Sequence, residues 1–354
     1  MKSSFRRIVY VYERFGGGAT MGCYQPCYVT SNFLEQESHV LEYNELLENL
    51  RSYKNDLLIF FKKNPNHQVA EILKENKCVV LYYVGDMTSF SLGEFLKSRA
   101  EHLSGVIVGS KEFKKIMSNN FPGLNVEVIP ANHDIFIEKS NKFNHKNFSL
   151  YFGGSLDSRG YMCQGDLGLR DEWDYTSGYF HPLRELISSS SKKSSSEKYN
   201  TFLKEFSEGC HYDTQLQIES HDSPLKHSCH YAVRSPLTLL RGKKEKLNLP
   251  YEQWVTKTGG KVSTAAACNA NIITSLDPAN RELIDESYPY AINTETEEFI
   301  INWSEICNEM KKKAQKDFGN KTWKEGLKIM KDVKEKTRTE VIVKRYIGFG
   351  EKVR

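Results

Sequence analysis

The sequence predicts an α/β protein built of two doubly wound domains that face a cleft. In the first 135 residues, short and wholly apolar segments alternate with helix-like segments, and the same alternation restarts at residue 148. Wholly apolar strands separated by helices are typical of parallel sheets covered on both faces. A chain of 354 residues also exceeds one ordinary core. We therefore expect an N-terminal domain at 1–140, a second domain at 148–315, and a basic helical segment at 316–354 that packs back on the N-terminal domain.

The strands of the first domain are predicted from their apolar runs, and the helices from apolar residues at helical spacing. Strands are expected at RIVYVYE (7–13), DLLIFFKK (56–63), CVVLYYVGDM (78–87), GVIVGS (105–110) and VEVIPANHD (126–134). Helices are expected around 31–37, 66–77, 90–103 and 111–121.

The second domain repeats this pattern, starting with the strand FSLYFGGS (148–155). A Ser/Lys-rich tract at 187–200 is predicted to be a surface insertion between helix-like stretches. Farther on, GKVSTAAAC predicts a helix of small residues, NIITS predicts a strand, and 297–315 predicts a helix with one apolar stripe.

Composition excludes several classes of protein. With 39% apolar residues the chain can bury a core, and no run approaches the ~18 apolar residues of a membrane span. Its eight cysteines form no Cys-x-x-Cys pair, which indicates reduced thiols and a cytoplasmic protein. The net charge of +4 is concentrated at the C-terminus, where 301–354 holds 15 Lys/Arg against 8 Asp/Glu. This segment is either a solvated helix face or a peripheral contact with anionic headgroups on the inner face of a membrane.

Two glycine-rich turns follow predicted strands and could approach a ligand closely. The first, ERFGGGATMG, places Glu13 and then Gly16, Gly17 and Gly18 after the first strand. It matches neither the dinucleotide-binding pattern nor a P-loop, and a plain tight turn is the alternative. The second, YFGGSLDSRG, carries Arg159, whose guanidinium could bind a diphosphate or simply face solvent.

The most specific segment is TKTGGKVSTAAACNANIITSLDPANRELI. Gly260 and Lys261 stand where the small-residue helix begins, so unpaired N–H groups, the helix dipole and an ammonium group would together favour a phosphate. Glu282 follows the next strand, where a carboxylate could accept hydrogen bonds from two ribose hydroxyls. The alternative is a structural helix start with a solvated lysine.

This layout resembles the GT-B glycosyltransferases, in particular the glycosyltransferase-4-like group. The resemblance covers about 55 residues as motif and most of the chain as architecture, and it includes CHYAVR at 229–234. It implies that Lys261 binds the donor diphosphate, that Glu282 lies near the donor ribose, and that Arg234 points towards the donor site. The chain departs from the group at Thr256 and Thr264, where many such enzymes carry a pair of glutamates.

The resemblance implies a metal-independent glycosyltransferase that uses a nucleotide diphosphate sugar and a glycan, lipid-linked or protein acceptor. Inverting chemistry would need a base, for which Asp86 and Glu13 are the candidates, whereas retaining chemistry would need none beyond the departing phosphate. No metal cofactor is expected, because the Cys-His pairs at 210–211 and 229–230 lack Cys-x₂-Cys spacing. No nucleic-acid partner is expected either. The alternatives are a non-catalytic nucleotide- or sugar-binding module, favoured by the missing glutamates, and a nucleotide-sugar epimerase.

Overall fold

A computed structural model describes most of the chain. The described residues are 3–13, 20–61, 63–85, 102–133, 135, 145–153, 173–176, 225, 227–234, 237–239, 246–248 and 254–354. Across these residues, none of the helices combines the length and the apolar character that a membrane span requires.

The first sheet has six parallel strands in the order β2-β1-β3-β4-β5-β6. Because β1 lies between β2 and β3, the strand order reverses beside β1, and ligands in doubly wound folds bind at such a reversal. The strands are β1 (Ile8–Tyr12), β2 (Ser38–Glu42), β3 (Leu57–Phe61), β4 (Val79–Tyr83), β5 (Gly105–Val108) and β6 (Val126–Val128).

Among the described residues, four α-helices accompany this sheet, and an asparagine or serine side chain caps the start of two of them. Asn66 and Ser110 each accept a hydrogen bond from the backbone N–H three residues on, at 2.9 and 3.1 Å. A π-helical turn, Thr20–Tyr24, leads directly into α1. The helices are α1 (Gln25–Phe33), α2 (Tyr43–Glu48), α3 (His67–Glu75) and α4 (Lys111–Asn120).

The helix expected around 31–37 is wrong in position. Helix α1 begins six residues earlier because Pro26 fits the first turn of a helix, and it ends before Glu35, whose φ of 51° is left-handed. The next residues form β2 at the edge of the sheet. The helix expected at 90–103 lies almost entirely outside the described residues.

Within the part of the chain that the structure describes, the second sheet has five parallel strands in the order β13-β12-β9-β7-β8, and a small antiparallel hairpin forms a separate sheet. The strands are β7 (Leu150–Gly153), β8 (Trp173–Thr176), β9 (Cys229–Ala232), β12 (Asn271–Ser275) and β13 (Ala291–Ile292), and the hairpin is β10 (Leu237–Leu239) with β11 (Lys246–Asn248). Two helices flank β12, namely α5 (Gly260–Ala267) and α6 (Pro278–Arg281).

Three helices close the chain, and they divide between the two sheets. They are α7 (Glu297–Asp317), α8 (Lys321–Thr337) and α9 (Thr339–Lys352). Helix α8 shares the core of the second sheet, where Trp323 and Met330 are buried. Helix α9 shares the core of the first sheet, where Tyr346 is buried with Tyr10. The chain therefore crosses from one sheet to the other at Arg338, and the prediction of two doubly wound α/β units with C-terminal helices is confirmed.

Candidate functional site

The carboxyl ends of strands from both sheets meet around one short loop, 257–259. A side chain at Gly85, just beyond β4, would meet Thr258 Cγ2 at 3.3 Å, and one at Gly109, just beyond β5, would meet the Lys257 carbonyl oxygen at 3.4 Å. Glycine at these two positions permits the loop to approach the first sheet closely. In open α/β sheets this edge is where ligands bind, so the loop marks the candidate site.

The loop leads into α5, which begins at Gly260 as predicted, with Gly259 as its N-cap. A Cβ at Gly259 would lie 2.7 Å from Leu283 Cδ1 and would displace this buried side chain, so glycine permits close contact with the segment after β12. Lys261 is the second residue of the helix and is half-buried. The helix start thus supplies backbone N–H groups, the positive end of a dipole and one ammonium group at a single place.

Helix α5 also contacts the first sheet directly. Ser263 Oγ donates to the carbonyl oxygen of Ala131, beyond β6, at 3.0 Å. The hydroxyl of Thr264 donates to the Gly260 carbonyl oxygen at 2.8 Å, within the helix. The small side chains predicted for this helix are buried, which permits this close packing.

Arg234 and Asp277 form a buried ion pair behind the loop. Arg234 follows β9 and Asp277 follows β12, and these strands are neighbours in the sheet. Arg234 Nη2 lies 2.7 Å from Asp277 Oδ2, and the two side chains are 5% and 0% exposed. The same nitrogen donates to the Thr258 carbonyl oxygen at 3.3 Å. Burial raises the pKa of Asp277, while the charge of Arg234 acts in the opposite direction.

Glu282, directly after α6 of the second sheet, contacts the start of α4 of the first sheet. Its Oε1 accepts the backbone N–H of Lys111 at 2.9 Å, and its Oε2 lies 3.2 Å from Lys111 Nζ. Lys111 is the first residue of α4, so the carboxylate sits at the positive end of a helix from the other sheet. Its proximity to a donor ribose remains a prediction.

Glu13 lies at the carboxyl end of β1, where the strand order of the first sheet reverses. Its Oε1 is 2.5 Å from Lys63 Nζ, and half of its side chain is exposed. Asp86, Arg159, Gly16, Gly17 and Gly18 lie outside the described residues. The structure therefore brings together Arg234, Gly260, Lys261 and Glu282 around one loop, and places Glu13 at the reversal of the other sheet.

Sequence reasoning missed two residues of this site. Asp277 had a local signal, because Asp-Pro after a strand is typical of a helix N-cap, and it does accept the Asn280 N–H at 2.9 Å. Lys111 had none, since its partner Glu282 is 171 residues away in the chain.

Among the residues that the structure describes, no three His, Cys, Asp or Glu side chains cluster closely enough to hold a metal ion. Cys229 and His230 are neighbours on β9, so they point to opposite faces of the sheet. Cys210 and His211 lie outside the described residues.

Several solved glycosyltransferases share this architecture. The chain superposes on a glycosyltransferase from Rickettsia africae with a TM-score of 0.60 at 8% identity, over 99% of both chains. The chain has the GT-B fold. Anabaena HepE, solved with UDP-glucose, gives a TM-score of 0.51 at 9% identity, over 96% of this chain and 98% of its own.

A third GT-B structure matches over a smaller share of its own chain. The pneumococcal O-GlcNAc transferase GtfA, solved with UDP and GlcNAc, gives a TM-score of 0.51 at 13% identity, over 87% of this chain and 59% of its own. Neither a protein-family model nor a curated protein sequence matches the chain.

Proposed function

We propose that the protein is a glycosyltransferase that takes a sugar from a nucleotide diphosphate sugar, in the manner of the glycosyltransferase-4-like group. The observation that carries the proposal is the start of α5. Gly259, Gly260 and Lys261 lie at the edge where strands of both sheets end. The solved structures of HepE and GtfA contain UDP, which supports a uridine diphosphate donor as the first to test.

In this proposal the helix start stabilises the departing diphosphate. Negative charge grows on the diphosphate as the bond to the sugar breaks, and N–H groups already oriented at a helix N-terminus stabilise that charge without reorganisation. Lys261 adds a full positive charge at the same place. No step requires a metal ion, so we expect EDTA to leave the rate unchanged.

The acceptor hydroxyl would approach from the first sheet. Glu13 stands at its strand reversal and, with Asp86, remains the candidate base for an inverting transfer, whereas a retaining transfer would use the departing phosphate. A glycan, a lipid-linked saccharide or a protein would each supply such a hydroxyl. The lysine-rich helix α8 would suit contact with anionic headgroups, and therefore a lipid-linked acceptor at the cytoplasmic face of a membrane. We expect no nucleic-acid partner.

The second candidate is a binding module that retains the fold without the chemistry. Thr256 is 2% exposed, and Thr264 uses its hydroxyl within α5, so neither supplies the carboxylate of the usual glutamate pair. The two candidates differ in turnover, because a module binds the donor without releasing the nucleotide.

The test is a donor panel of UDP-, GDP-, ADP- and dTDP-sugars, with nucleoside diphosphate release measured with and without a mixture of saccharide acceptors. We expect release from one donor class by the wild type, a large loss in Lys261→Ala, and no change in Lys312→Ala, a matched exposed lysine on α7. Binding without release would favour the module. Interconversion of the sugar without release would favour the epimerase.

A further inference from the structure

Arg234 is held by an acidic partner and by the loop at the candidate site. Its side chain is 5% exposed, and its Nη2 lies 2.7 Å from Oδ2 of Asp277, which is completely buried. Its backbone N–H donates to Ser275 Oγ at 3.1 Å, so the main chain at this residue is fixed to the end of β12. Such a pair is retained only if its geometry is good, because both charges have left water.

The same ion pair connects to the loop before α5. Arg234 Nη2 donates to the carbonyl oxygen of Thr258 at 3.3 Å, and Thr258 immediately precedes Gly259, the N-cap of α5. A hydrogen bond to this carbonyl fixes the peptide plane between Thr258 and Gly259, and therefore the direction of the N–H groups that follow.

Asp277 connects the ion pair to α6 and to the segment that follows it. Its Oδ1 accepts the Asn280 backbone N–H at 2.9 Å, which caps α6, and its Oδ2 accepts Asn280 Nδ2 at 3.1 Å as well as Arg234. Helix α6 leads directly to Glu282, which contacts Lys111. One ion pair thus anchors two of the segments that approach the first sheet, the loop 257–259 and the segment that carries Glu282.

We propose that Arg234 is a positioning residue, which orients the α5 N-terminus for the donor diphosphate through the Thr258 carbonyl and does not bind the phosphates itself. The inference rests on the proposed function. The resemblance implied that Arg234 points towards the donor site. In this proposal its effect on the donor is indirect, because the positive charge of Arg234 that a phosphate would need is already balanced by Asp277 at 2.7 Å. Asp277 is then as important for diphosphate binding as Arg234, although it carries the wrong charge for a ligand.

The experiment compares the dissociation constants of UDP and uridine, by calorimetry, for the wild type, Asp277→Asn, Arg234→Lys and the double variant. Asparagine keeps the cap of α6 but weakens the bond to Arg234. We expect Asp277→Asn and Arg234→Lys each to weaken UDP binding about tenfold, the effect of losing one charge-assisted hydrogen bond, with uridine binding unchanged. The double variant should be no worse than either single variant, because both remove the same connection.

Asp56→Asn is the matched control. Asp56 is also completely buried and bound by two arginines, Arg6 at 2.8 Å and Arg7 at 3.0 Å, but it lies just before β3 of the first sheet. It should lower thermal stability and leave the ratio of the UDP and uridine constants unchanged. This ratio separates a role at the diphosphate from a general loss of stability.

Direct phosphate binding by Arg234 predicts the opposite for Asp277. Removing a competing carboxylate would then leave UDP binding unchanged or make it tighter, and that result would overturn the inference while the proposed function stands. A wild-type protein that binds no nucleoside diphosphate would overturn the proposed function and the inference together.

Discussion

Glu282 and Lys111 form a contact that joins the two sheets of the fold through one carboxylate. Glu282 binds both the backbone N–H of Lys111, at 2.9 Å, and its ammonium group, at 3.2 Å. The Glu282 side chain is 16% exposed, whereas the Lys111 side chain is 84% exposed. The bond to the backbone is therefore the better protected of the two, and it satisfies an N–H in the first turn of α4.

Removing this carboxylate should lower stability more than removing its ammonium partner. We expect Glu282→Ala to lower the free energy of unfolding by ~1 kcal/mol, as loss of a helix cap does, and Lys111→Met by only a few tenths. Differential scanning calorimetry of both variants checks this. The control is Lys114→Met, whose pair with Glu127 is longer at 4.0 Å and exposed, and which should change little.

The same variants test the ribose hypothesis. A ribose contact by Glu282 would make Glu282→Ala lose affinity for UDP and uridine alike, while Lys111→Met would keep both affinities. If Glu282→Ala and Lys111→Met lose affinity for UDP and uridine equally, Glu282 affects binding through its contact with Lys111 and not through the ribose.

Glu112 should make the stability depend on pH. Burial, and then the charge of Glu295, raise the pKa of Glu112 above its ordinary value of 4.5, while Arg281 and Lys115 act against the rise. The folded state therefore binds the proton of Glu112 more tightly than the unfolded state does. As the pH rises above 4.5, ionisation of Glu112 lowers the free energy of unfolding. We expect Glu112→Gln to raise the melting temperature at pH 7 and to have no effect below about pH 4.5.

Melting curves between pH 4 and pH 8 measure this difference, with Glu75→Gln as the control, an exposed residue at the end of α3. A gain for Glu112→Gln that is the same at every pH would contradict the electrostatic explanation.

Gly326 should tolerate no side chain, because α8 lies directly on β12 there. A Cβ at Gly326 would lie 2.5 Å from Asn271 Oδ1, and Asn271 is buried and donates to the Trp323 carbonyl oxygen at 3.1 Å. We expect Gly326→Ala to lower the free energy of unfolding by ~1–3 kcal/mol through overpacking.

Gly348 provides the opposite case within α9, since a Cβ there would meet nothing within 4 Å. Gly348→Ala should raise stability by ~0.5–1 kcal/mol, the usual gain within a helix. Thermal unfolding of the two variants compares them directly, and a loss of stability in both would contradict this account of the α8 contact.

The sequence predicted the central strands well and an edge strand poorly, for a physical reason. Strands β3 and β4 are buried almost throughout, so they appear as continuous apolar runs. Strand β2 lies at the edge of its sheet and is mostly half-exposed, so its composition does not distinguish it from the preceding helix. Most of the fold could thus be predicted from local patterns alone.

The candidate site was only partly predictable. The start of α5 at Gly260 follows from a local motif of glycines and small residues. The partners of Arg234 and Glu282 do not, because Asp277 and Lys111 reach them only through strand pairing and through the approach of the two sheets. Local patterns could identify which residues carry charge near the site, but not which charges are already balanced.

The central claim is that the start of α5 binds a diphosphate, and one measurement tests it most directly. A thermal-shift panel with UDP, GDP, ADP, CMP and dTDP would be run on the wild type, Lys261→Ala and the control Lys312→Ala. We predict that one nucleoside diphosphate, at 100 times its dissociation constant, stabilises the wild type and the control by about 2.7 kcal/mol, and that Lys261→Ala loses most of this effect. A wild type that no nucleotide stabilises, or a Lys261→Ala variant that is stabilised as strongly as the wild type, would contradict the claim.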